Sequence, residues 1–132
     1  MKGHARDLMS SHVARIEPDE TLRMAAERIT SGGFGGLPVV REGVVVGFVS
    51  ETDVLGALLR SSSSETPVSE IMTSPAIVID EFATSDDVMR TLREQAIHHL
   101  PVVRGDQLVG IISPKDVVRF FAERILPNVP AA

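Results

Sequence analysis

The sequence predicts a mixed α/β fold, of the α+β kind, built from two β-α-β-β-α repeats packed with pseudo-twofold symmetry. Three observations predict it: the chain aligns with itself at an offset of 63 residues, each copy carries the same order of strand and helix patterns, and a Ser-rich break separates the copies. From Ala5–Val54 against Val68–Val117 there are 14 identities in 50 ungapped positions, concentrated where "LPVVREGVVVGFVSETDVL" lies over "LPVVRGDQLVGIISPKDVV". About 60 residues burying one face of a small sheet are marginal alone, so the two copies are expected to share their burial. The repeats are placed at residues 1–60 and 68–126, with a flexible linker at 61–67 ("RSSSSETP" from Arg60) and a C-terminal tail at 127–132.

Within each copy a short apolar alternation comes first, "HVARIE" or "AIVID", as a strand exposing alternate faces requires. A helix follows: Leu22, Ala25, Ala26 and Ile29 fall on one face in the first copy, and Val88, Met89, Leu92 and Ala96 in the second, where Thr84 and Asp87 have capping-box spacing. Two strands come next, "LPVV" with "VVVGFVS" or "QLVGIIS", joined by the turn residues "REG" and "RGD". A second helix closes each copy, at Thr52–Arg60 and at Lys115–Ile125.

Composition narrows function by exclusion. The 132 residues hold no Cys, which removes disulfides, thiolate zinc sites and cysteine nucleophiles and agrees with a reducing compartment. A net charge of −5, scattered Lys and Arg, and no Trp or Tyr argue against nucleic acid as partner. No apolar run is long enough for a membrane span, and "MKGHARDLMSSHV" is polar where a signal peptide is apolar, so the expected location is cytoplasmic. Enzyme motifs fail too. "SGGFGGLPVV" lacks the Lys of a P-loop, no G-x-S-x-G elbow presents a serine, and Asp86-Asp87 suits the first turn of a helix. His4, His12, His98 and His99 follow no metal spacing, so no metal site is expected.

The L-P-V-V motif, a turn, then hydrophobic-Gly-hydrophobic-hydrophobic-Ser-x-x-Asp occurs as Leu37–Val40 with Gly47–Asp53 and as Leu100–Val103 with Gly110–Asp116. In this the chain resembles the cystathionine-β-synthase (CBS) domain, and specifically the tandem pair called a Bateman module, over nearly its whole length; "RDLMS" and "SEIMTS" look like that family's usual approach to the first strand. The resemblance implies a regulatory module that senses an adenosine compound (AMP, ADP, ATP, S-adenosylmethionine or NAD) in clefts between repeats. It implies no cofactor of its own, Mg²⁺ entering only with a nucleotide. Read as a stand-alone pair, the chain would signal through an unknown regulated protein or through self-association, and a homodimer is expected, with "FFAERIL" covered by a second chain.

Ser50, Thr52 and Asp53, and Ser113, Lys115 and Asp116, stand where a strand hands over to a helix. There a carboxylate can accept from ribose hydroxyls while the serine and the first-turn N–H groups face a phosphate. The same spacing is an ordinary N-cap, and the two roles can coexist. The resemblance puts a phosphate contact at His98, with His99 beside it; the other reading of either is a surface or packing histidine. It also puts main-chain contacts to the purine at Val13 and Ala14, for the cleft of Ser113 and Asp116, and at Ala76 and Ile77, for that of Ser50 and Asp53; each is equally a core strand residue. Gly35 and Gly36 occupy the places of His98 and His99, so the second copy is expected to hold phosphate better. Gly32 or Gly33 is expected to stop the first helix, with Phe34 an apolar plug matching Ile97. A pure protein-interaction module is the alternative function.

Overall fold

The computed structural model describes residues 3–125. Its elements run α1 (Ala5–Leu8), α2 (Leu22–Gly32), β1 (Gly36–Arg41), β2 (Val44–Ser50), α3 (Glu51–Leu59), a 3₁₀ turn (Val68–Glu70), β3 (Ile79–Asp80), α4 (Ser85–Glu94), β4 (Leu100–Arg104), β5 (Gln107–Ile112), α5 (Pro114–Phe120) and a π turn (Phe121–Ile125). The mixed α/β expectation holds, with five strands. Leu126 and the tail at 127–132 lie outside the described residues.

The chain divides into two compact units whose membership does not follow the repeats. One unit takes residues 14–76 and 106–108; the other takes 77–105 and 109–125 together with the leading segment up to Val13. The core of the first-copy unit joins Ile16, Leu22, Ala25, Leu37, Val39, Val49 and Ala57 to Val68 and Ile71, which belong in sequence to the second copy. In the second-copy unit, Val88, Leu92, Leu100, Val102, Ile112 and Phe120 close over Ala5 and Leu8, from the start of the first copy. The repeats have therefore exchanged their leading segments.

The glycine of the hydrophobic-Gly-hydrophobic-hydrophobic run explains how those segments dock. Thr73 exchanges two backbone hydrogen bonds with Phe48 of β2, at 2.9 and 2.8 Å, and Ser10 does the same with Ile111 of β5, at 2.9 and 3.0 Å. A Cβ on Gly47 would stand 2.6 Å from Met72 Sδ and 2.9 Å from the Thr73 carbonyl oxygen; one on Gly110 would stand 2.8 Å from Met9 Cγ. Only hydrogen leaves room for the crossing.

In the first-copy unit β1 and β2 form an antiparallel hairpin, Leu37 opposite Val49, whose turn residues Glu42 (φ 51°) and Gly43 (φ 84°) both adopt the left-handed geometry of a two-residue turn. The expected first strand "HVARIE" contracts to a single parallel bridge, Ile16 with Val39. "AIVID" likewise shortens to β3, which pairs parallel with β4 in the second-copy unit.

Helix α2 buries Leu22, Ala25 and Ile29 and ends on Gly33, whose φ of 66° and N–H bond to the Ile29 carbonyl make it the stop. The linker is tied down rather than loose. Its Thr66 and Ser64 carbonyls accept from the Leu22 and Arg23 N–H groups at 2.8 and 2.9 Å, satisfying donors that the first turn of α2 leaves without helical partners. In α4, Thr84 Oγ1 accepts from the Asp87 N–H, but the Asp87 carboxylate turns to Arg90, so the expected capping box is half made. Ala96 lies beyond the end of α4 at φ 52° and is exposed, and Ile97 packs against the core instead. The expected long helix from Lys115 is α5 followed by the π turn; Phe120 is buried and Phe121 is not.

Among the described residues, two ion pairs brace the approaches to the repeats. Arg28 grips Glu20 at 2.9 Å and also donates to the Arg15 carbonyl. Arg104 makes a bidentate pair with Glu81, whose side chain is 5% exposed. The Arg104 guanidinium holds the Glu81 carboxyl below the usual carboxylate value of 4.5, as Arg28 does for Glu20.

Leu8→Ala and Ile71→Ala should each lower the unfolding free energy by about 2–5 kcal/mol in urea titrations, whereas Leu59→Ala on the exposed face of α3 should change it by less than about 0.5. Equal losses at Leu8 and Leu59 would contradict the exchange. Because the folded Glu81 pKa is depressed, its contribution is present above the unfolded value and disappears as pH falls through the folded one. Stability should thus decline below about pH 4.5, and a Glu81→Gln variant should show a flatter acid limb in melting temperature against pH.

Candidate functional site

Each copy builds the same corner where its last strand hands over to its last helix. Ser50 leaves β2 extended (φ −104°, ψ 169°) and caps α3; Ser113 leaves β5 in the same geometry and caps α5. In the first copy the Asp53 N–H donates to Ser50 Oγ at 3.2 Å, while the Ser50 N–H and Oγ donate to Asp53 Oδ2 at 2.8 and 3.0 Å. In the second, the Asp116 N–H donates to Ser113 Oγ at 3.4 Å, and Ser113 N–H and Oγ donate to Asp116 Oδ2 at 2.7 and 3.0 Å. The N-cap reading of Ser-x-x-Asp is therefore realised twice.

The cap occupies mainly one carboxylate oxygen. Asp53 Oδ1 accepts from the Thr73 hydroxyl at 3.2 Å, and Asp116 Oδ1 accepts from Arg119 Nη1 at 3.0 Å. Thr73 and Arg119 are both exposed, so either can be displaced or joined by another donor, since a carboxylate oxygen has two acceptor sites. Sequence reading found neither partner. Arg119 was legible in principle, three residues after Asp116 on one helix; Thr73, 20 residues from Asp53, was not.

The expected site residues sort by unit. Ser50, Thr52, Asp53, Ala14 and Ala76 fall in the first-copy unit, and Ser113, Lys115, Asp116, His98, His99, Val13 and Ile77 in the second. The boundary thus passes between Val13 and Ala14 and again between Ala76 and Ile77. Thr52 and Lys115 are exposed on the first turns of their helices. His98 stands in the wall of an apolar pocket of about 400 Å³ with Met89, Leu92, Arg93, Pro114 and Val117. That pocket brings His98 and Arg93 beside the first residue of α5. Opposite conditions hold in the first copy, where Gly35 and Gly36 supply no side chain and Phe34 lies over Gly32. Among the described residues no group of three or more His, Asp or Glu side chains is arranged to hold a metal ion. No helix among them is long and apolar enough to cross a membrane.

Comparison with known proteins agrees with the motif. The CBS domain family model matches twice, over residues 5–60 and 68–123. The CBS domain-containing protein YhcV of Bacillus subtilis is 29% identical over 113 residues, covering 85% of this chain and 81% of that protein. Two further curated relatives are longer, and the chain spans 33% and 31% of their lengths. Among solved structures, CBSX2 in complex with AMP superposes with a TM-score of 0.82 at 27% identity, covering 91% of this chain and 96% of that one. The CBS domain pair of MJ0100, in complex with 5′-methylthioadenosine and S-adenosyl-L-methionine, gives 0.78 at 26% identity, with 92% and 98% covered.

Ser50→Ala and Ser113→Ala should each cost about 1 kcal/mol of stability without any ligand, because each strips a cap from its helix. Chemical denaturation checks this, and a neutral result at either serine would contradict the cap geometry there.

Proposed function

Because the chain belongs to the CBS domain family, carrying two copies of the domain, we propose that it is a regulatory module that senses an adenosine-containing nucleotide. One observation carries the reading. In both copies the cap bonds run to Oδ2 of the aspartate, and among the described residues Oδ1 of Asp53 and of Asp116 meets one exposed, exchangeable donor. A ribose diol can therefore be accepted without unmaking the helix cap. Ser50 and Thr52, and Ser113 and Lys115, would face the phosphate. His98 and His99 would add ring N–H donors, and main-chain groups of Val13, Ala14, Ala76 and Ile77 would read the purine edge. The solved complexes of CBSX2 with AMP and of MJ0100 with 5′-methylthioadenosine and S-adenosyl-L-methionine support an adenosine ligand. The module needs no metal of its own under this reading, Mg²⁺ arriving only with a nucleotide.

The output would pass through association, either with a regulated protein or with a second copy. A specific observation favours the homodimer. The closing segment of each copy exposes apolar side chains at the same two repeat positions: Leu55 and Leu58 of α3 are each 59% exposed, and Val118 of α5 and Phe121 of the π turn are 65% and 42% exposed. Water-facing leucine, valine and phenylalanine at matched sites are what a second chain would cover.

A thermal-shift panel of AMP, ADP, ATP, NAD and S-adenosylmethionine tests the reading. The true ligand at 100 times its Kd should stabilise the fold by about 2.7 kcal/mol. Asp53→Ala and Asp116→Ala should each remove the shift due to their own corner, measured against their own ligand-free melting. An unmoved melting curve across millimolar concentrations of the whole panel would leave the protein-interaction module standing. For the dimer, light scattering should report twice the chain mass for the wild type and a single chain for Leu55→Glu with Val118→Glu.

A further inference from the structure

The two corners share their cap and differ in charge. Within Glu51–Gly56 the first copy places two acids and no base, Glu51 and Asp53; within Pro114–Arg119 the second places one acid and two bases, Lys115 and Arg119. Around the second corner the asymmetry continues. Arg93 and His98 line the pocket that Pro114 and Val117 also line, and the repeat offset of 63 residues sets Thr30 and Gly35 in their places in the first copy. At four matched positions, then, Arg93, His98, Lys115 and Arg119 answer Thr30, Gly35, Thr52 and Gly56. The aspartates feel the difference directly. A neutral hydroxyl, Thr73, meets Asp53 Oδ1, and a guanidinium, Arg119, meets Asp116 Oδ1. Among the described residues, Arg93, His98 and Lys115 form no ion pair or side-chain hydrogen bond, so their donors are open to a ligand.

We infer that the two corners select adenosine ligands by charge: Arg119 and Lys115 make the Ser113–Asp116 corner a site for phosphorylated adenosines, and the Ser50–Asp53 corner takes uncharged or cationic ones. The inference rests on the proposed nucleotide sensing and adds what separates its two sites. At the second corner Arg119 cancels the charge of Asp116, so a phosphate can approach the ribose-binding carboxylate without repulsion and meets Lys115 beside it. At the first, Glu51 and Asp53 keep their charge uncompensated by any base on α3's first two turns, which disfavours a phosphate and favours a sulfonium or an uncharged 5′ group.

The test isolates each corner and varies only ligand charge. Asp53→Asn leaves the second corner to report, Asp116→Asn the first, and calorimetry reads the affinity of AMP, of uncharged 5′-methylthioadenosine and of S-adenosylmethionine. In the Asp53→Asn protein, adding Lys115→Thr with Arg119→Gln should weaken AMP by about fivefold or more at low salt, and progressively less as salt screens the charges. Binding of 5′-methylthioadenosine to the same protein should hold or tighten. In the Asp116→Asn protein, Thr52→Lys should tighten AMP and weaken S-adenosylmethionine. The ligand-free melting of each variant confirms its fold. AMP affinity indifferent to Lys115 and Arg119, or an equal loss for AMP and 5′-methylthioadenosine, overturns charge selection while leaving the nucleotide reading intact. Failure of these three compounds, and of ADP, ATP and NAD as well, to bind the wild type overturns both.

Discussion

The crossing of a leading segment over a glycine is the constraint on which the fold depends. Met72 and Thr73 pass over Gly47, and Met9 and Ser10 pass over Gly110, each crossing fixed by a pair of backbone hydrogen bonds to the strand. A side chain at Gly47 would meet the Thr73 carbonyl oxygen itself, and one at Gly110 would meet the Met9 side chain from its Cβ outward, so either would force the crossing segment to shift. Because the segment crossing each strand comes from the other repeat, neither repeat owns a complete core. Val68 and Ile71 close the first-copy core, and Ala5 and Leu8 close the second. Duplicated sequence thus becomes mutual dependence, which is how domains of about 60 residues escape the marginal burial expected of them.

The same crossing positions the chemistry. Thr73, carried to β2 by its bonds to Phe48, reaches Asp53 with its hydroxyl at 3.2 Å. Its repeat counterpart, Ser10, bonds to Ile111 in the same way, yet the oxygen of Asp116 is met by Arg119 instead. A conserved geometry with substituted partners yields two corners that are alike in shape and unlike in potential. The cap fixes each aspartate by Oδ2, so the difference falls on Oδ1, the oxygen turned away from the helix cap. Exposed ion pairs of this kind add little stability, which leaves Arg119 open to a role in recognition rather than in folding.

Much of this was legible in the sequence, and the illegible part has one cause. The repeat offset, the hairpin turns, the stop at Gly33 and the serine caps are local, set by residues within a few positions of one another. The first strands were expected longer than they are because apolar alternation reports burial, and Ile16 is buried with a single bridge to Val39 rather than a ladder. Ala96 fits the helical spacing of α4 but follows a chain that has already left the helix, a boundary that periodicity does not mark. The linker's serines suggested looseness, whereas the Thr66 and Ser64 carbonyls take up the Leu22 and Arg23 N–H groups that open α2. The exchange of leading segments was beyond local pattern altogether: "RDLMS" and "SEIMTS" carry the same apolar signature, and nothing in that signature says whose strand they cross.

That exchange also bears on how a signal could travel. The leading segment that ends at Val13 packs into the second-copy core, and the chain enters the first-copy unit at Ala14; Ala76 and Ile77 mark the reverse passage. The four residues proposed to read a purine are therefore the ones at which the chain changes unit. A ligand that orders the backbone there acts on the covalent connections between two cores instead of on the interior of one. Under the proposed function, a ligand held by these residues adds to the stability of the folded chain by mass action.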